Sequence, residues 1–271
     1  MSGKIIAVAS GKGGVGKSFV ALNLAVELSI QKKKVLLIDA DVGLGNVHIL
    51  LGVNPEYTIV DLMEGKVRLE EAVCGVLKGN LKILSGGTGL NKIFHISNEK
   101  KHNLFLELKK IEAQYDIIII DVGAGINKDV VSFIELADQV ILVSNPDITA
   151  MADVYSLLKI MLGMNTITKN IGIVVNKADS DLGNEVFNKL SAVSKKFLTT
   201  DIKYLGHIDE DRKLVYHSTQ KRLPIYYLNP SSKLRKEIYN LSIKVFYNKE
   251  MHSNEGINVV NRLMKFLGLE V

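Results

Sequence analysis

Cysteine is nearly absent. Cys74 is the only one in 271 residues, which excludes an internal disulfide and any four-thiolate zinc or iron-sulfur centre assembled within one chain. A buried, inert thiol is the role expected of it. The six histidines are scattered, and only His95 and His102 lie near each other, without a ligand spacing, so no histidine metal site is expected. No apolar run approaches the ~18 residues needed to cross a bilayer, and the first strand pattern begins almost at Met1, so neither a membrane span nor a signal peptide is expected. Internal repeats and low-complexity tracts are also missing. A cytoplasmic protein is the expectation. Excess charge of one sign is small: 34 basic against 29 acidic side chains give +5, well mixed, which permits weak attraction to anionic surfaces and gives no reason to expect nucleic acid.

What is present is a regular alternation. KIIAVAS (4–10), KVLLIDAD (34–41), LKILSGG (81–87), YDIIIIDV (115–122), QVILVSNP (139–146), NIGIVVNK (170–177) and IKYLGHI (202–208) read as strands. Several are apolar throughout, as parallel strands covered on both faces must be. Helical patterns lie between them, among them 18–31, 99–114 and 181–197. The β-α-β order with right-handed crossovers predicts an α/β fold: a doubly wound, mostly parallel sheet with helices on both faces. Pro146, Pro224 and Pro230 fall where elements should stop. Residues 1–248 are expected to form this domain, 249–256 a polar linker and 257–271 a C-terminal helix.

Residues 10–18 read SGKGGVGKS directly after an apolar strand and directly before a helix. Gly11, Gly16, Lys17 and Ser18 complete the phosphate-loop pattern G-x-x-x-x-G-K-[ST], in which backbone N–H groups and the helix N-terminus cradle phosphates. Lys17 is expected to bridge the outer phosphates and the Ser18 hydroxyl to hold Mg2+. Gly11, Gly13, Gly14, Val15, Gly16, Lys17, Ser18 and Phe19 are the expected nucleotide contacts on this loop. In such sheets ligands lie beyond the carboxyl ends of the strands. Asp39 and Asp41 end the second strand and Asp121 ends the IIII run, so hard oxygen ligands for a cation converge there, with Asp121 in the Walker B role. Lys12 exceeds the motif's needs. It sits on the outer lip of the loop, poorly placed to curl back on phosphates of its own chain; reaching across a symmetric dimer to the other copy's nucleotide is one use for it, and a solvated loop lysine is the better expectation for a lysine taken in isolation.

KGGVGKS with its leading lysine, DADVGLGN and IIDVGAGI together resemble the deviant Walker A ATPases of the MinD/ParA group over essentially the whole chain. The resemblance implies a P-loop NTPase fold, ATP/ADP and Mg2+ as cofactors, and a homodimer when ATP is bound. It implies that Lys12 acts across that dimer, that Asp41 positions the attacking water, and that Asp39 and Asp121 support Mg2+ with Ser18. Lys12, Lys17 and Asp41 are then the catalytic set. The adenine pocket would draw on Asn176 and on GHIDED (206–211), although Asp209 stands where many relatives carry proline. DADVGLGNVHILLG is most similar to the flagellar-number regulators of the FlhG/FleN type, with MinD, the division-site ATPase, the nearest rival. The N-terminal glutamine-containing segment of many FlhG chains is not expected here.

In INVVNRLMKFL (257–267), Asn258, Asn261, Arg262 and Lys265 gather on one side and leave a wide apolar face. This amphipathic helix with basic residues on its polar side reads as a reversible anchor to the inner face of the cell membrane, strengthened when a dimer presents two copies. Docking on its own domain is the competing reading. A protein partner from the flagellar or division machinery is expected. A DNA-partitioning ATPase could use Lys233, Arg235 and Lys236, but three basic residues on one helix are more often a solvated face. A metabolic enzyme on this fold would not need the trailing helix, and an iron-sulfur carrier would need more than Cys74.

Overall fold

The computed structural model describes residues 3–41, 45–58, 61–62, 64–77, 80–86, 114–126, 128–135, 137–163 and 170–247. Its strands are β1 (Lys4–Ser10), β2 (Val35–Ala40), β3 (Cys74–Val76), β4 (Leu81–Ser85), β5 (Ile117–Ala124), β6 (Gln139–Ser144), β7 (Ile171–Asn176) and β8 (Lys203–Ile208). They form one sheet in the order β3-β4-β2-β5-β1-β6-β7-β8. Every described pairing is parallel except β3 with β4. The seven strands expected from the apolar runs are all present. The eighth, β3, is a three-residue antiparallel edge, too short to show a period. It carries Cys74, which is half-buried rather than buried, because an edge strand is covered on fewer sides.

The helices are α1 (Lys17–Ile30), α2 (Val47–Leu50), α3 (Leu69–Ala72), α4 (Lys128–Glu135), α5 (Ile148–Gly163), α6 (Ser180–Leu198), α7 (Arg212–Lys221), α8 (Ile225–Leu228) and α9 (Lys233–Phe246). The predicted helix over 18–31 is α1 and that over 181–197 is α6. Asp179 caps α6 by accepting from the Leu182 amide, and Ser232 caps α9 by accepting from the Arg235 amide, each supplying an acceptor for an otherwise orphaned donor. Residues 99–113 of the third predicted helix, the linker 249–256 and the C-terminal helix 257–271 lie outside the described residues.

Side chains of successive strand residues point to opposite faces, so β1 contributes Ile5, Ala7 and Ala9 to one apolar cluster and Ile6 and Val8 to the other. Helices α4, α5 and α6 cover the first cluster and α1, α8 and α9 the second. Covering both faces is why β1, β2, β6 and β7 are buried over nearly their whole length. It also fixes the register at the sheet's carboxyl edge, where Asp39 stands opposite Asp121 and Val8 opposite Asp121 on the other side. The ends of β1, β2, β5, β6 and β7 thus open onto one edge.

A second tie joins the layers. Arg235 of α9 donates to Glu27 of α1 through both Nε at 3.2 Å and a terminal nitrogen at 2.8 Å. Burial pushes the Glu27 carboxyl up, and Arg235 opposes the shift. Arg235 is therefore committed inside the protein, and Lys233 is paired with Asp209. Two of the three cations that a DNA-binding reading would use already serve internal carboxylates.

Candidate nucleotide site

The loop between β1 and α1 turns on Gly16, the residue that caps α1 with φ at 95°. Only glycine adopts this left-handed backbone cheaply, and space forbids anything else: a Cβ at position 16 would lie 2.1 Å from Asn176 Nδ2. That nitrogen donates to the Val15 carbonyl at 2.7 Å. Beside it, Lys177 donates from Nζ to the Gly14 carbonyl at 3.1 Å. The end of β7 therefore braces the loop from outside. Bracing the carbonyls outward leaves the loop's N–H groups as its inward-facing polarity, the polarity a phosphate needs.

Lys17 is turned inward and only 5% exposed. Its Nζ donates to Asp121 Oδ1 at 2.7 Å, lies 3.4 Å from Ser18 Oγ and stands 3.8 Å from Asp41 Oδ2. Asp121 is fully buried and its Oδ2 has no hydrogen-bond partner. Asp39, also buried, accepts from the amides of Asp41 at 3.3 Å and Val47 at 3.2 Å. Burial, with the charge of Asp121 nearby, pushes the Asp39 carboxyl up to about 6, and burial likewise raises that of Asp121 against the pull of Lys17. Three carboxylates share one ammonium here, so the pocket favours added positive charge. A hard dication suits it: the donors are carboxylate and hydroxyl oxygens, and the unpartnered Asp121 Oδ2 is an orphan such an ion would satisfy. The residues thus fit Mg2+, with Ser18, Asp39 and Asp121 as its neighbours.

Lys12 is placed differently. Its side chain, 43% exposed, donates to Asp147 Oδ2 at 2.9 Å and Thr149 Oγ1 at 2.7 Å. Lys12 and Thr149 together hold the Asp147 carboxyl down to about 2. So the two lysines of the loop have opposite fates, one sunk among carboxylates and one parked on the outer lip. Asp147 lies three residues beyond the end of β6, whereas Asp41 directly follows β2; its place just after an apolar strand was the available signal for it.

Beyond the loop lies a cleft of about 510 Å³ lined by Gly14, Gly16, Phe19, Asn176, Lys177, Asp209–Arg212, Val215 and Tyr216. It continues the phosphate loop toward β8 and α7, and its mixed apolar and polar lining suits a flat heterocycle. Asn176 and Asp209, both expected here, line it. The Asp209 carboxylate, however, is engaged with Lys233 and its amide donates to Glu237 Oε2 at 2.9 Å, so neither group is free for a base. The sequence did not mark Lys177, Arg212, Val215 or Tyr216.

Residues 3–175 match the family model described as an AAA domain. Over 231 residues the chain is 35% identical to the antiactivator FleN of Pseudomonas aeruginosa, covering 85% of this chain and 81% of that one. It is 30% identical over 273 residues to the flagellum site-determining protein YlxH of Helicobacter pylori, covering 98% and 91% of the two chains. Among solved structures, the septum site-determining protein MinD of Pyrococcus horikoshii, complexed with Mg-ADP, matches with a TM-score of 0.73 at 28% identity, covering 89% of this chain and 95% of that one.

Proposed function

The chain belongs to the MinD/ParA-type deviant Walker A ATPases, like FleN and YlxH, and from that footing we propose a slow ATP-hydrolysing switch that regulates flagellar number or placement. ATP pairs two copies, the pair docks on the inner face of the cell membrane, and hydrolysis to ADP and phosphate separates the copies again. The name of YlxH, a flagellum site-determining protein, supports the flagellar assignment. Likeness to MinD supports division-site selection as the second reading.

The observation that carries the switch is the division of labour between the two lysines. Lys17 is enclosed and neutralises charge within its own pocket. Lys12 stands at the surface on exposed partners, beside Ile148, which is 78% exposed. An apolar side chain and a cation on one lip suit a face that a second copy covers. On pairing, Lys12 exchanges Asp147 for the terminal phosphate of the opposite nucleotide. Ser18, Asp39 and Asp121 would hold Mg2+, which supplies neutralisation of the phosphate oxygens when bound. Asp41, partly exposed beside Lys17, orients the attacking water. Because catalysis here is positioning and charge stabilisation, turnover stays low until a partner protein completes the site.

Sedimentation with a non-hydrolysable ATP analogue tests this. The wild-type chain is expected to form dimers and Lys12→Ala to remain monomeric at saturating nucleotide; dimers of equal stability in both would remove Lys12 from the interface. Truncation after Glu255 should abolish ATP-dependent sedimentation with anionic vesicles, and equal sedimentation would defeat the anchor. Capture of flagellar rather than division components under ATP separates the two processes.

A further inference from the structure

Behind the base-side wall of the cleft, three side chains from two elements converge without being part of the phosphate site. His207 is the penultimate residue of β8, Asp209 follows the strand, and Glu237 sits on α9; one donor atom from each lies within 4.8 Å of the others. His207 Nε2 is 3.6 Å from Glu237 Oε1 and 4.0 Å from Asp209 Oδ1. The Glu237 side chain is only 9% exposed. Its Oε2 accepts from the Asp209 amide at 2.9 Å, whereas its Oε1 and Asp209 Oδ1 are buried with no hydrogen-bond partner. Two buried acceptors aimed at the same spot as an imidazole nitrogen are costly unless something satisfies them.

Local backbone directs the histidine there. Register between β7 and β8 slips at Ile173 and Val174, opposite Gly206, whose φ is 138°. A bulge of this kind re-aims the next side chain, and the next side chain is His207. Helix α6 leaves room for it with Gly183, where a Cβ would come within 2.8 Å of the His207 Cβ.

We propose that His207, Asp209 and Glu237 form a binding site for a borderline divalent transition ion such as Zn2+, tying the segment after β8 to α9. The donor set decides the class. One imidazole and two carboxylates suit Zn2+ or Co2+, while Mg2+ and Ca2+ prefer oxygen alone. Bonds of about 2.0–2.1 Å would set tetrahedral donors roughly 3.3 Å apart, so the two carboxylates, now 3.6 and 4.0 Å from His207 Nε2 and within 4.8 Å of each other, must draw in toward the imidazole and toward each other. Asp209 also lines a hollow formed with residues 210–213, Lys233 and Leu234, which connects the cluster's acidic side to the surface where Lys233 lies. Lys233 is the present occupant of the acidic side: it pairs with Asp209 and lies 3.9 Å from Glu237 Oε1. Its side chain is 67% exposed, so it can swing outward when an ion enters.

The test uses the full, untagged chain without nucleotide, titrated with Zn2+ by calorimetry and with Co2+ by visible absorption. With excess Mg2+ present to fill the oxygen-only cluster at the phosphate end, one saturable Zn2+ or Co2+ per chain is expected, with an imidazole-containing spectrum and a rise in melting temperature. His207→Ala and Glu237→Gln should lose the saturable ion and the thermal shift while still melting cooperatively. Lys233→Met should bind roughly threefold tighter, because the competing ammonium is gone. Asp201→Asn, an exposed surface position outside both sites, should bind as wild type. The proposal is overturned if no saturable binding occurs, if His207→Ala and Glu237→Gln retain it, if Lys233→Met weakens it, or if Asp201→Asn abolishes it.

Discussion

The phosphate end and the base end of the cleft are built by different rules. At the phosphate end, one contiguous stretch supplies the loop, and charges from neighbouring strands meet at the sheet's edge: Lys17 with Asp121 at 2.7 Å, Asp39 and Asp41 beside them. At the base end the wall comes from Phe19, Asn176, Asp209–Arg212, Val215 and Tyr216, contributed by four separate elements or their ends and dominated by shape. One end holds stored electrostatic imbalance and the other holds surface. The phosphate end should therefore respond to single substitutions in stability and binding together, and the base end mainly in selectivity.

The largest effect is expected from Lys17→Ala. It strips the ion-pair partner from a carboxylate that is fully buried, a loss that typically costs roughly 3–5 kcal/mol. Denaturant unfolding without nucleotide should show it, and ADP binding should vanish. Lys17→Met with Asp121→Asn should recover most of the stability and none of the binding. A single variant that unfolds like the wild type would erase the electrostatic distinction between the two ends.

Asp41→Ala comes next. Asp41 is partly exposed and 3.8 Å from Lys17, so its removal leaves the buried pair intact. Nucleotide affinity should stay within about threefold, while hydrolysis falls by about 10²–10⁴, the range for losing a positioned general base or water-orienting group. Steady-state phosphate release alongside ADP titration measures both. Unchanged hydrolysis would take the role from Asp41.

A smaller and opposite effect is expected behind the base end. Glu237 has a folded-state pKa near 7, raised by burial from 4.5. Between those values the folded chain holds the proton more tightly than the unfolded chain, so stability falls as pH rises through that window and the cost is complete above it. Glu237→Gln keeps a carbonyl for the Asp209 amide and removes the charge. The ion-free variant should gain about 1 kcal/mol at pH 8 after solvent screening, and little at pH 4. Equal slopes of stability against pH in the two proteins would show that Glu237 ionises freely.

Legibility in the sequence follows the same division. SGKGGVGKS, Asp39 near the end of β2, Asp121 after the IIII run although β5 continues past it to Ala124, and the apolar strands were readable because their signals are local: a fixed spacing, or a charge at the end of an apolar run. The role of Asn176 as a brace for Val15 was not, since the two are 161 positions apart. Nor was the cluster of His207, Asp209 and Glu237, where the last ligand arrives from a helix and the first is re-aimed by a bulge that no spacing rule encodes. Lys12 was readable as surplus, but its present partners Asp147 and Thr149 became visible only when β6 was laid beside β1.

The smallest effect tests the comparison most directly. Tyr216 lines the cleft with 61% of its surface exposed, and Phe19 lines the same space. A ring there can stack on a heterocycle, and a contact between aromatic faces is worth about 0.5–1.5 kcal/mol. Tyr216→Ala should weaken ATP binding roughly two- to tenfold, and Tyr216→Phe should not. Stability should move by less than about 0.5 kcal/mol, as for other exposed positions. Inorganic triphosphate is the discriminating ligand, because it engages the loop and carries no base. Its affinity should be the same in Tyr216→Ala and wild type, while Lys17→Ala should lose both ligands. If Tyr216→Ala weakened triphosphate as much as ATP, the two ends would be one coupled surface, and the base-side wall would owe its effect to the loop rather than to the heterocycle.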